Sequence, residues 1–252
     1  MIRLEHTSGS AVAAAIADER RRLGSPATGM VLTLLILSDE ESASDATEAA
    51  VGAARMHPMR ILTLIPKPGK FEPRLDAQVS VGGDMGPGEV AELRLRGELA
   101  SFPNSVAVPL LLPDTPVVAF WPSNAPDVPA DDLIGRHAQR RITDSNSAED
   151  SWTELIRRRD GYRPGDTDLS WSRITSWRSV LASALDQEHA KITSASVVAQ
   201  PGKASPYLLR QWIADCLEVD VHLDFNAGPG INQVHLHTHE GDISVTRPDG
   251  MI

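Results

Sequence analysis

Apolar positions along the chain follow two periods. "VLTLLIL" (31–37), "RILTLI" (60–65) and "PVVAFW" (116–121) are short unbroken runs rich in branched residues. Runs of that length and make-up predict strands buried on both faces. Between the first two lies "ESASDATEAAVGAARM", with alanines at helical spacing. Ser38 and Asp39 are its cap candidates, and Asp39, Glu40 and Glu41 suit the positive end of a helix. Strand, helix and strand over positions 31–65 make a βαβ unit, so a parallel sheet with a right-handed crossover is expected. Ahead of it, "SAVAAAIADERRRLG" predicts a helix stopped by Gly24.

After Lys70 the period changes. "RLDAQVSVGG" and "VAELRLRGEL" alternate apolar and polar residues around "DMGPGE", the pattern of an antiparallel hairpin or paired edge strands. "RRITDS" (140–145) reads as one more short strand. Between Asp144 and Gly165 the chain turns polar, with a helix in "SWTELIRRR" and a turn in "GYRPGD". Beyond lie a helix over 165–186, a strand "ITSASVVA", a helix over 206–218 and three strands, "VDVHLDF", "QVHLHTH" and "DISVTR". The predicted fold class is α/β: a mostly parallel mixed sheet with flanking helices over 1–164, followed by a smaller α+β domain over 165–252.

The helix in "GDTDLSWSRITSWRSVLASALD" carries Trp171 and Trp177, each beside an arginine. At 100° per residue Ile174, Trp177, Leu181 and Leu185 share one face, and Ser172, Ser176, Ser179 and Ser183 the opposite one. Asp166, Thr167 or Asp168 can cap its start. The two tryptophans stand about 120° apart, so at least one belongs at the edge of the buried stripe. Arg178 falls inside the apolar arc beside Trp171, where it must snorkel, stack on the ring or pair with a carboxylate. Tryptophan and arginine on a helix rim have the composition of a binding hot spot.

Charge narrows the partners. A formal net charge of −10 argues against nucleic acid bound over a broad surface. The triplets Arg20–Arg22 and Arg157–Arg159 sit in charge-mixed helical contexts and read as solvated faces. Cys216 is the single cysteine; it cannot form an internal disulfide and is expected to be a buried, inert thiol in its helix. No basic stretch precedes a long apolar one at the N-terminus, and the most apolar run has seven residues, too few to span a bilayer. A cytoplasmic protein without a membrane partner is the expectation.

Catalytic patterns are weak. "VGGDMGPGE" is followed by a strand pattern where a phosphate loop needs a helix, and it lacks Lys-Ser or Lys-Thr. The βαβ start has "SDEESAS" in place of a glycine-rich dinucleotide loop. The chain has no G-x-S-x-G elbow. "VHLHTHE" places His235, His237 and His239 on one strand face, and "DVHLD" places Asp220, His222 and Asp224 on another. If "NAGPG" turned these strands into a hairpin, His222 would approach His235 and Asp220 would approach His237, a weak candidate metal cluster.

"RLDAQVSVG", "VVAFWP", "RRITDS" and "GDTDLSWSRITSWR" together resemble the glucose-6-phosphate dehydrogenase assembly protein family (OpcA), from the strand at 31–37 through "SVTRP". The matching positions are Trp121 and Pro122, Arg140 through Asp144, and Asp166 through Arg178. The resemblance implies a non-catalytic protein, without cofactor, that binds glucose-6-phosphate dehydrogenase and promotes its assembly or activity. The partner-binding candidates are then Trp171, Arg173, Trp177, Arg178, Trp121, Arg140, Arg141, Asp144 and Asp168. The alternative is a small-molecule sensor in which Arg140, Arg141 and Asp144 hold a sugar phosphate or nucleotide near Trp121. Cysteine-based redox control, associated with cyanobacterial members, has no internal disulfide to act through here, and the histidine strands match no motif of the family. Members extend past "RPDGMI", so the C-terminal domain is expected to be incomplete.

Overall fold

A computed structural model describes residues 1–24, 29–82 and 88–247. The chain forms two compact units, one of residues 1–143 with 161–167, the other of residues 144–160 with 168–252.

The first unit is built on an eight-stranded mixed sheet. In chain order it contains β1 (Ile2–Leu4), α1 (Gly9–Leu23), β2 (Leu32–Leu37), α2 (Ala43–Ala54), β3 (Met59–Lys67), β4 (Arg74–Val81), β5 (Glu89–Arg96), α3 (Pro103–Ala107), β6 (Val117–Trp121) and β7 (Arg140–Thr143). The strand β8 (Asp166–Asp168) follows a helix of the second unit, and the spatial order is β1-β4-β5-β3-β2-β6-β7-β8. β5, β3, β2, β6 and β7 are mutually parallel, whereas β1 and β4 are antiparallel to their neighbours. Numbered by chain position, the parallel strands run 3-2-1-4-5 across the sheet, the doubly wound order that reverses direction between β2 and β6.

The uninterrupted apolar runs are explained by this burial. Leu35, Leu62 and Leu64 pack with Val12 and Ile16 of α1 and Val106 of α3, while Ile36 and Ile61 pack with Ala46, Ala50 and Ala54 of α2. Each central strand is therefore apolar on both faces. The alternating β4 and β5 pair in antiparallel register from Arg74↔Arg96 to Val81↔Glu89, with one face in the core and one half-exposed. The turn expected in "DMGPGE" falls largely on residues 83–87, outside the described residues.

Two arginines expected on solvated helix faces, Arg20 and Arg158, turn inward. Arg20 and Arg60 both bridge Glu89, which is 2 % exposed, and Arg60 also donates to the Leu110 carbonyl at 2.6 Å. Arg158 is buried and pairs with Glu154 at 2.6 Å. One turn of helix separates these partners, so the pair closes locally while the aliphatic stem is covered.

The second unit contains α4 (Ser151–Asp160), α5 (Leu169–Ser172), α6 (Thr175–Ala184), β9 (Ile192–Ala199), α7 (Ser205–Leu217), β10 (Asp220–Phe225), β11 (Ile231–Thr238) and β12 (Gly241–Thr246). Its four-stranded sheet has the order β10-β9-β11-β12. Ile174, Trp177 and Leu181 of the α5–α6 segment, with Leu209 and Ile213 of α7, pack on Ala195, Val197, Val221, Val234 and Leu236.

Three expectations are corrected here. The tryptophan helix is broken: α5 ends at Ser172, and Ile174 sits at ψ 2° before α6 begins. Ile174–Thr175 is a β-branched pair, the residue type with the stiffest side chain in a helix. The hairpin between "VDVHLDF" and "QVHLHTH" does not form, because β9 lies between β10 and β11, parallel to one and antiparallel to the other. Cys216 is exposed: it lies in the last turn of α7, beyond the stretch where Leu209 and Ile213 are buried.

Candidate partner-binding site

The site begins with Asp168, the N-cap of α5. Its carboxylate accepts from the Ser170 amide at 2.9 Å, satisfying one of the free donors of the first turn. The same carboxylate accepts from the Ser145 amide at 2.9 Å and the Ser145 hydroxyl at 2.8 Å. Ser145 and Ser170 are fully buried and joined through their hydroxyls at 2.8 Å, and the Ser170 carbonyl accepts from Ser205 at 3.2 Å. Asp168 thus fixes where α5 starts, and α5 carries Trp171.

Asp144, one residue before Ser145, receives both terminal nitrogens of Arg173, each at 2.7 Å. This is a two-pronged guanidinium–carboxylate bridge. On the neighbouring turn the guanidinium of Arg178 lies 4.1 Å from the centre of the Trp171 ring, and its Nη2 donates to Thr175 Oγ1 at 3.0 Å. Trp171 remains 40 % exposed, whereas Trp177 is 1 % exposed. The two tryptophans divide between the two helices: Trp177 of α6 anchors the core, and Trp171 of α5 stands at the rim with arginine on its face.

In the first unit Arg141 is consumed by structure. It pairs with Asp166 and donates to the Ala138 and Pro164 carbonyls, both at 2.7 Å. Gly165 makes this turn at φ +100°, and a Cβ there would meet the Gln139 carbonyl oxygen at 2.5 Å and Arg141 Nη2 at 3.1 Å. Trp121 is 3 % exposed at the end of β6. Of the nine partner-binding candidates, Trp121, Trp177 and Arg141 are buried, Asp144 and Arg178 are half-buried, Asp168 positions α5, and Arg140, Trp171 and Arg173 are exposed. Of the residues in the small-molecule alternative, Arg141 pairs with Asp166 and Asp144 pairs with Arg173.

The histidines occupy the sheet face opposite the helices. His235 bonds Ser244 at 2.8 Å, His237 stands 3.0 Å from Asp242, and the two rings are stacked with centroids 6.3 Å apart. His222 and His235 are both paired across to Ser196 of β9 and so flank it. Among the described residues no group of three or more His, Cys, Asp or Glu side chains is placed to hold a metal ion. No helix of the described residues is long and apolar enough to cross a membrane.

Sequence reasoning missed Ser145, Ser170 and Thr175, which hold the site from behind. "RRITDS" includes Ser145, but a strand pattern gives no hint that its last residue reaches a helix cap 23 positions on.

A doubly wound sheet unit followed by a helix-backed four-stranded unit defines the class, a two-part α/β protein. Residues 50–160 match the family model for the glucose-6-phosphate dehydrogenase subunit N-terminal domain, and residues 164–252 match that for its C-terminal domain. The chain belongs to the OpcA family of glucose-6-phosphate dehydrogenase assembly proteins. No curated protein and no solved structure matches it.

Proposed function

We propose that this protein is a non-catalytic partner of glucose-6-phosphate dehydrogenase that raises its activity at the entry of the oxidative pentose phosphate pathway, in the cytoplasm. The observation that carries the reading is the exposed Trp171 ring beneath the Arg178 guanidinium, beside the Arg173–Asp144 bridge. Aromatic and arginine side chains held rigid before binding lose little entropy when a partner covers them. Family membership supports glucose-6-phosphate dehydrogenase as the partner.

The mechanism is selective binding. A partner protein shifts the enzyme's equilibrium only by its differential affinity for the active conformation or oligomer. Tenfold activation corresponds to a preference of about 1.4 kcal/mol, within reach of one well-packed tryptophan. Titrating the protein into the dehydrogenase and following initial rates at several substrate concentrations tests this. Saturable activation that weakens in Trp171→Ala and Arg173→Ala supports the reading, and a flat response with no co-elution removes it.

A further inference from the structure

We infer that the crevice at the β2/β6 reversal of the first unit binds the hydroxyl groups of an uncharged polyol or sugar. The parallel order 3-2-1-4-5 makes adjacent chain connections leave β2 and β6 toward opposite faces, which opens a gap beyond the strand ends where α/β sheets take ligands. A cavity of about 320 Å³ lies there, bounded by Leu37 at the end of β2, Pro66 in the last turn of β3 and Trp121 at the end of β6. That volume is at the small end of ligand pockets, suited to one sugar ring rather than a dinucleotide.

The polar lining fixes the ligand class. Ser38 is 6 % exposed and its hydroxyl has no hydrogen-bond partner, although its amide donates to the Leu64 carbonyl at 3.1 Å. A buried hydroxyl left unpaired costs stability, and Ser38 is one of the residues lining the cavity. Asp39 and Asp132 add carboxylates; Asp39 accepts the Ser42 amide at 2.8 Å through Oδ1 and Ser123 at a long 3.3 Å through Oδ2, and Asp132 caps the turn at Ile134 through Oδ1. Asn124, held at φ 49°, adds an amide. Among the described residues no Lys, Arg or His lines the cavity. Carboxylate acceptors without a cation accept the O–H donors of a diol and repel a phosphate or carboxylate. The apolar floor of Leu37, Pro66 and Trp121 suits the C–H faces of a sugar ring.

Calorimetric titration of the full chain with sorbitol and with D-glucose, beside glucose 6-phosphate and spermidine, tests the inference. The expected result is saturable binding of at least one uncharged probe, with glucose 6-phosphate and spermidine each at least tenfold weaker. Ser38→Ala should weaken that binding about fivefold and leave the melting temperature unchanged or higher, since it removes an unpaired buried group. Ser123→Ala, at a half-buried position, should weaken it similarly without touching the core. No saturation by either uncharged probe, tighter binding of a charged one, or undiminished binding in both variants would overturn the proposal.

Discussion

Arg173 closes a two-pronged bridge on Asp144, with both arms at 2.7 Å across 29 positions of sequence. Half-exposed ion pairs of this kind contribute little to folding, about 1 kcal/mol or less. A double-mutant cycle of Asp144→Ala and Arg173→Ala, followed by urea unfolding, should therefore show a coupling below about 1 kcal/mol. The proposed function predicts a larger coupling when the same cycle is read out by dehydrogenase activation.

Trp171 and Trp177 should separate cleanly by stability. Trp177 is in the core with Ile174 and Leu181, and Trp177→Ala should cost about 3–5 kcal/mol. Trp171→Ala loses an exposed cation–π contact worth about 0.5–1 kcal/mol. Urea midpoints of the two variants check this, and Trp171→Ala remains folded enough to serve as the activity test.

Glu89 is the buried charge on which α1 and β3 converge through Arg20 and Arg60. Glu89→Ala leaves Arg60, itself 9 % exposed, without its counter-charge. Breaking one side of such a pair costs about 3–5 kcal/mol. A change below about 1 kcal/mol in chemical denaturation would show that water reaches the pair.

Asp39 gives a pH-dependent test. The Ser42 amide, partly opposed by burial and aided by the hydroxyls of Ser42 and Ser123 and the Glu41 amide, holds its carboxyl below the usual aspartate range. A depressed folded value means that its stabilisation is complete above the unfolded value of about 3.9. That stabilisation is lost as pH falls through the lower folded value. Asp39→Asn should be less stable than the native chain at pH 7, and the difference should vanish at about pH 2. Urea midpoints measured from pH 7 downward show whether the two curves converge.

The elements of the sheet were legible because their apolar patterns report burial directly: Leu35 and Ile36 face opposite cores, and no alternating strand would have both buried. The nearness of Arg178 to Trp171 was legible from their local spacing, whereas stacking was one of three outcomes open to that arginine, and the break at Ile174 places the two on successive helices. What local pattern does not carry is long-range pairing. Asp144, Ser145 and Arg141 meet Arg173, Asp168 and Asp166 only after the chain has folded, so the two signature stretches read as separate motifs. The placement of β9 between the histidine strands was hidden for the same reason. A Gly-rich connection such as "NAGPG" reads as a hairpin turn, and only the parallel pairing of β10 with β9 excludes it.

The most direct test of the central claim is the initial rate of glucose-6-phosphate dehydrogenase titrated with the native protein and with Trp171→Ala at matched folded concentration. The account predicts saturable activation by the native chain and a concentration for half-activation at least tenfold higher for the variant. Equal activation curves for the two would contradict it and move the contact to another surface.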